Sequence, residues 1–234
     1  MTDFVLVHGA WHGGWCWRYV ADRLTAAGHR VFTPTLTGLG ERSHLLTADV
    51  GLDTHITDIV NVIHWEELEN AVLVGHSYAG YVVSGAAEQI AGALKAVALV
   101  DAFLPSIGSG CAMIDETTQG LRDAIAAAPK TGAITLPGFP ASALGCSGSD
   151  ADWVDELCTP HPIKTYTDRI TVTGGLESVP RKLFVRTAFA AGNLDDAVTQ
   201  VSGRLGWEVA TLTCGHDAMV ADPDGLTALL ETLA

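Results

Sequence analysis

Apolar runs bounded by turn residues recur along the chain at Phe4 to His8, Arg30 to Leu36, Ala71 to Gly75, Ala96 to Asp101, Leu183 to Thr187 and Trp207 to Thr213. Their continuous apolar character predicts strands covered on both faces, as in a parallel sheet held between layers of helices. The intervening segments have helical spacing. In "DTHITDIVNVIHWEELE" the residues Ile56, Ile59, Val60 and Ile63 fall at i, i+3, i+4 and i+7 and form one apolar stripe, with Asp53 or Thr54 as the expected N-cap. A second helix is expected from Tyr78 towards Ile90, and a last one from about Pro223 to Leu233 behind Asp222 as N-cap. Strands and helices in alternation predict an α/β domain with about six mostly parallel strands flanked by helices.

One region departs from this rhythm. From Pro105 to about Pro180 the chain is rich in Gly, Pro, Ser and Asp, as in "PGFPASALGCSGSDADW", with short helical pieces such as "LRDAIAAAP" and "DADWVDELC". A structureless loop of that length is unexpected in a compact domain. It therefore reads as a small, partly helical cap over the carboxyl ends of the strands. With 234 residues the chain suits one domain, made of a core at 1–104 and 181–234 and a cap insertion at 105–180.

Composition narrows the partners. Lys and Arg number 13 against 27 Asp and Glu, a formal net charge of −14. An acidic surface repels phosphate backbones and anionic headgroups, so neither nucleic acid nor a membrane surface is expected as a partner. The first residues run directly into an apolar strand without a signal-like segment, and no apolar run approaches the ~20 residues of a membrane span. The expectation is a cytoplasmic enzyme; whether it forms a homodimer is open. Five scattered cysteines lack CxxC spacing, which suggests reduced thiols rather than a disulfide framework or a zinc site. No metal and no cofactor is expected.

The chemistry centres on "LVGHSYAGYV". Ser77 ends an expected strand and precedes an expected helix, the setting in which a G-x-S-x-G-like match describes a nucleophile elbow. Ala79 stands where the second glycine is expected, and its small side chain suits the sharp turn. A serine hydroxyl needs a base to take its proton. His216, in "TLTCGHDAMVADPDG", lies on the loop after the last expected strand, at the same sheet edge as Ser77. His8 and His76 precede tight turns, where imidazoles serve structure through backbone hydrogen bonds. An attacked carbonyl develops an oxyanion that needs preorganised N–H donors. The glycine-rich "VHGAWHGGW" after the first strand can supply the amide of Ala10, and the elbow that of Tyr78.

In this order, "FVLVHGAWHGGWCW", "PTLTGLGERSHLL", "LVGHSYAG" and "GHDAMVADP" resemble the α/β-hydrolase superfamily. The similarity is greatest to small esterases akin to plant methyl-ester esterases and hydroxynitrile lyases, and to bacterial salicylate-esterase-like and pyrethroid-hydrolase-like enzymes. It covers nearly the whole chain and is weakest in the cap. It implies an α/β-hydrolase fold and a triad in the order Ser, acid, His.

The acid departs from the plant pattern. There it follows the penultimate strand two residues after a threonine, and the matching position here is Phe189 in "LFVRTAF". Asp101 closes the apolar strand after the nucleophile helix, the alternative acid position that the superfamily uses in some haloalkane dehalogenases. A carboxylate ending so apolar a strand needs a partner, which a histidine N–H would be. Asp195 or Asp196, or a purely local turn-capping role for Asp101, are the alternatives. The lyases carry a threonine at the position of Gly9 and a lysine at that of Asp217, so the resemblance favours an esterase. Trp11, Phe103 and Trp153 are candidate pocket residues, with Leu104 and Phe139 also expected in the roof. The resulting reading is a serine carboxylesterase acting on a small, largely apolar ester. A lyase or cyclase on the same scaffold, or a catalytically silent binding protein, is the alternative.

Overall fold

The computed structural model describes residues 1–108, 110–189 and 194–234. The sheet strands are β1 (Asp3–Val7), β2 (Arg30–Phe32), β3 (Ala71–His76), β4 (Leu94–Val100), β9 (Arg181–Arg186) and β10 (Trp207–Thr211). Four shorter strands lie between β4 and β9: β5 (Gly110–Ala112), β6 (Thr135–Leu136), β7 (His161–Pro162) and β8 (Arg169–Thr171). The large sheet is six-stranded and parallel, in the order β10-β9-β4-β3-β1-β2. This is the α/β-hydrolase architecture, with every strand's carboxyl end at one edge.

Each sheet face has its own helix layer, because alternate residues of a strand point to opposite sides. Val5, Val7, Leu73, Val97 and Phe184 bury against α2 (Leu52–Trp65) and α3 (Ala79–Ile90). Phe4, Leu6, Val72, Val74 and Val185 bury against α1 (Arg18–Ala26) and the last helix, Pro223–Glu231. With both faces covered, all six residues of β3 are buried, which is why Ala71 to Val74 are apolar without a break.

Several boundaries differ from the sequence expectation, three of them instructively. β2 stops at Phe32, not Leu36. Pro34 lacks an N–H for the ladder, and the Leu36 amide donates to His8 Nε2 (3.0 Å) at the end of β1. β10 stops at Thr211 rather than Thr213. α2 begins at Leu52 with Gly51 as its N-cap, not Asp53 or Thr54. The carboxylate of Asp168 accepts from the Leu52 N–H (3.0 Å) and fills the space that a Gly51 side chain would need. Asp222 does cap the last helix, its carboxylate accepting from the Gly225 N–H (3.0 Å).

Residues 105–180 hold two antiparallel strand pairs, β5 with β8 and β6 with β7, and the helices Gln119–Thr131 and Gly148–Leu157. Hydrogen bonds tie them to the core: Thr159 N–H donates to the Trp11 carbonyl (2.8 Å), and the Glu88 carboxylate on α3 accepts from the Thr173, Gly174 and Gly175 amides. Among the described residues no helix is long and apolar enough to cross a membrane.

Candidate active site

Ser77 follows β3 directly and has φ +53°, a left-handed conformation that a non-glycine residue adopts only when its surroundings enforce it. The enforcement is visible in the packing. A Cβ on Gly75 would lie 2.7 Å from Val83 Cγ2, and one on Gly80 would collide with the Phe103 carbonyl. The close approach thus falls on Gly80, one residue beyond the usual second glycine, and Ala79 is tolerated as the first residue of α3. Two main-chain bonds hold the turn, Ser77 N–H to the Val100 carbonyl (3.1 Å) and Phe103 N–H to the Ser77 carbonyl (3.1 Å). The buried Tyr78 side chain anchors it from behind by donating to His55 Nδ1 (2.9 Å).

His216 reaches the serine from the loop after β10: Ser77 Oγ donates to His216 Nε2 (2.9 Å). On the other side of the ring, His216 Nδ1–H donates to Asp101 Oδ2 (2.7 Å). Asp101 is fully buried one residue past β4 and itself has φ +45°. Its remaining lone pairs are taken up: Oδ1 accepts from Arg186 Nη1 (2.6 Å) and the Thr187 N–H (3.1 Å), and Oδ2 also accepts from the Thr187 hydroxyl (2.8 Å). Burial raises the carboxyl's pKa, but the bonds and charge of His216 and the two bonds from Thr187 outweigh it, so the net shift is downward. Asp101 is therefore ionised at neutral pH.

The structure thus brings Ser77, His216 and Asp101 together and leaves Asp195 apart. The Asp195 carboxylate is 85% exposed and accepts from Arg186 Nε (2.9 Å), while Asp196 lies in the first turn of a helix. Phe189, which occupies the plant acid position, lies against His216 with ring centroids 4.7 Å apart and planes at 33°. Arg186 and Thr187 were not singled out by sequence. Their signal was an arginine closing an apolar strand, the same anomaly that marked Asp101.

His8 and His76 have structural roles. His8 Nδ1–H donates to the Gly9 carbonyl (2.8 Å), and His76 Nε2–H donates to the His216 carbonyl (3.0 Å). Burial pushes both imidazoles down to about 3, so they are neutral. A Cβ on Gly9 would lie 2.7 Å from His76 Nδ1 and 3.0 Å from Ser77 Cβ, so a side chain at position 9 would displace Ser77 or its neighbour.

Over Ser77 opens a cavity of about 300 Å³. Trp11, Phe103, Met113, Phe139, Tyr166 and Phe189 form most of its apolar wall, and Ala10 lies at its floor. Trp11 and Phe103 therefore stand where sequence placed them, and so does Phe139. Trp153 does not line the cavity. Its ring meets Trp15 (5.1 Å) and Tyr19 (5.5 Å), with Arg18 over its face, so it fastens the cap to the outside of the core. Leu104 is likewise absent from the cavity wall. No lysine or arginine lines it among the described residues.

The chain is 37% identical over 245 aligned residues to the carbendazim hydrolyzing esterase of a Nocardioides species, an alignment covering 100% of both chains. Methylesterase 2 of Arabidopsis thaliana is 34% identical over 126 residues, 48% of this chain and 44% of that one. Among solved structures, an extracellular alpha/beta-hydrolase from a Paenibacillus species superposes with a TM-score of 0.82 at 22% identity, covering 100% of this chain and 99% of the other. A Ser elbow, a sheet of this order and a family match over residues 4–229 agree, and the chain belongs to the alpha/beta hydrolase family.

Proposed function

We propose that this protein is a serine carboxylesterase that cleaves a small, largely apolar carboxylic ester through an acyl-enzyme. The observation that carries this reading is the unbroken hydrogen-bond chain from Ser77 Oγ through His216 to a buried, ionised Asp101. Ser77 attacks the ester carbonyl while His216 takes its proton, and Asp101 holds the imidazole in the tautomer that presents Nε2 and stabilises the imidazolium that forms. The negative charge on the carbonyl oxygen falls to the N–H groups of Ala10 and Tyr78, and a lost donor in such a pair costs roughly 3–4 kcal/mol of transition-state stabilisation. His216 then protonates the departing alcohol. Water, deprotonated by the same base, attacks the acyl-enzyme, and the acid leaves as Ser77 regains its proton.

The full-length esterase relative supports ester cleavage, and the cavity's aromatic wall and small volume favour a compact apolar substrate. Lyase chemistry on a cyanohydrin is disfavoured, since the leaving anion would meet no cationic lysine or arginine among the described residues of the cavity wall. A silent binding protein would not need so complete a set of partners around Asp101.

Ser77→Ala should abolish turnover of p-nitrophenyl butyrate and labelling by a fluorophosphonate probe, with thermal stability unchanged. Retained turnover would sink the serine assignment.

A further inference from the structure

Beneath the site lies a second histidine–carboxylate pair that the reaction does not consume. His12 Nε2 stands 3.3 Å from Asp217 Oδ2, with the side chains 2% and 0% exposed. His12 Nδ1–H donates to the Ala10 carbonyl at 2.8 Å. On the far side of the same peptide group, the Trp11 N–H donates to His161 Nδ1 (3.2 Å), a cap residue whose Nε2–H donates to the Thr165 hydroxyl (2.8 Å). The peptide between Ala10 and Trp11 is thus gripped at its carbonyl by one imidazole and at its N–H by another. Trp11 has φ +67°, a conformation a tryptophan takes only under constraint.

We propose that His12 and Asp217 form a positioning pair for the ester-cleaving centre: His12 fixes the Ala10–Trp11 peptide and thereby aims the Ala10 N–H, while Asp217 ties that loop to the segment bearing His216. The inference rests on the serine esterase reading above. A rotation of this peptide turns the neighbouring one, which carries the Ala10 N–H, because the two share the Ala10 Cα. Oxyanion donors act through fixed geometry, so a loosened loop lowers the rate without removing any reacting group.

Both His12 nitrogens face acceptors, which suits an imidazolium. Burial lowers its pKa, but the nearby Asp217 carboxylate and the Ala10 carbonyl outweigh this and leave it raised above the ordinary imidazole value. Asp217 is held far below the usual carboxylate range: burial opposes ionisation, and the facing His12 favours it most. The titratable groups around His12 are Asp217, His76, His8 and His161, of which the three imidazoles are held down by burial and neutral. Below the unfolded value of ~6.5 the stability from the charged His12 is fully present, and it fades as pH rises through the higher folded value. Asp217 contributes above ~3.9 and loses its contribution only as pH falls through its depressed folded value.

The test compares substitutions that keep one contact each. Asn at position 12 can still donate to the Ala10 carbonyl, whereas Phe cannot. With p-nitrophenyl butyrate, His12→Phe should lower kcat by about ten- to a hundredfold with KM changed less than about threefold, and His12→Asn should recover most of that loss. Wild-type kcat in His12→Phe, or an equal loss in both variants that tracks a fall in folded fraction, would overturn the proposal. If His12→Phe does not fold, the wild-type protein decides by ¹⁵N-histidine NMR. At pH 7 His12 should carry a proton on Nδ1, the nitrogen that faces the Ala10 carbonyl, and its shifts should move when a fluorophosphonate caps Ser77. An unprotonated Nδ1 or unmoved shifts would overturn it. Turnover persisting in Ser77→Ala refutes the esterase reading instead, whatever His12 does.

Discussion

The ends of β4 and β9 are adjacent in the sheet, in register from Ala96 opposite Arg181 to Val100 opposite Val185, yet they have opposite characters. β4 is followed by a fully buried carboxylate, Asp101, that touches the His216 imidazole. β9 ends in Arg186, Thr187 and, two residues on, the Phe189 ring laid against the same imidazole. In the plant relatives that the chain resembles, the acid follows the equivalent of β9. Here that end no longer bears the charge; it solvates the charge its neighbour bears. The difference teaches that a triad needs a carboxylate at one edge of the histidine, not at one place in the sequence. Two neighbouring parallel strands can offer that place because both finish at the same sheet edge. A buried carboxylate after β4 must be furnished with donors, which Arg186 and Thr187 supply.

The comparison breaks most sharply at Asp101. Asp101→Asn should lower kcat on p-nitrophenyl butyrate by roughly 10³–10⁴-fold, since an amide there no longer fixes the tautomer or balances the imidazolium. Adding Phe189→Asp should leave the double variant within about threefold of the single one. The aromatic at 189 lies over the ring face rather than along its Nδ1 edge, where the acid must act. Recovery of about a hundredfold would show that the two strand ends remain interchangeable.

Thr187→Val sharpens the supporting role of β9. A hydrogen bond to a charged, buried group contributes about 1.5–3 kcal/mol, so the variant should lose about that much stability in urea unfolding at pH 7, with kcat lowered only a few-fold. The sign with pH follows from the depressed carboxyl of Asp101. Its stability contribution is present above the unfolded value of ~3.9 and is lost as pH falls through the folded value. Wild type and variant should therefore differ fully at neutrality and converge in acid; a difference that grows on acidification would contradict the assignment.

The smallest effect belongs to Asp195. Among the described residues its exposed carboxylate meets Arg186 Nε, and exposed ion pairs contribute little. Asp195→Asn should keep kcat within about twofold of wild type. A loss approaching that of Asp101→Asn would return the acid to the end of β9.

Much of this was legible in the sequence, for identifiable reasons. Strands covered on both faces leave an uninterrupted apolar record, so β1, β3 and β4 were visible within a residue or two. Ser77, His216 and Asp101 were visible because each violates its setting: a serine between tight-packing residues, a histidine after a closing strand, a carboxylate ending an apolar run. What stayed hidden depends on contacts distant along the chain. The start of α2 is decided by Asp168, more than a hundred residues away, so its local signals at Asp53 and Thr54 misled. Trp153 has an aromatic's eligibility for any pocket, and only packing against Trp15 and Tyr19 assigns it to the outside. Asp217 read simply as the lack of a lysine, and its buried pairing with His12 spans two loops that no spacing links.

The bonds from Thr159 and His161 to Trp11 have a consequence for how this scaffold can be varied. The cap completes the backbone of the core's first loop and does more than shape the chamber above it. A core grafted with a foreign cap would keep Ser77, His216 and Asp101 in contact yet leave the Trp11 peptide without its outer partners. Exchange of caps between relatives is therefore not a free recombination of specificities: a functional transplant must carry, with its apolar wall, the two polar groups that finish the loop below.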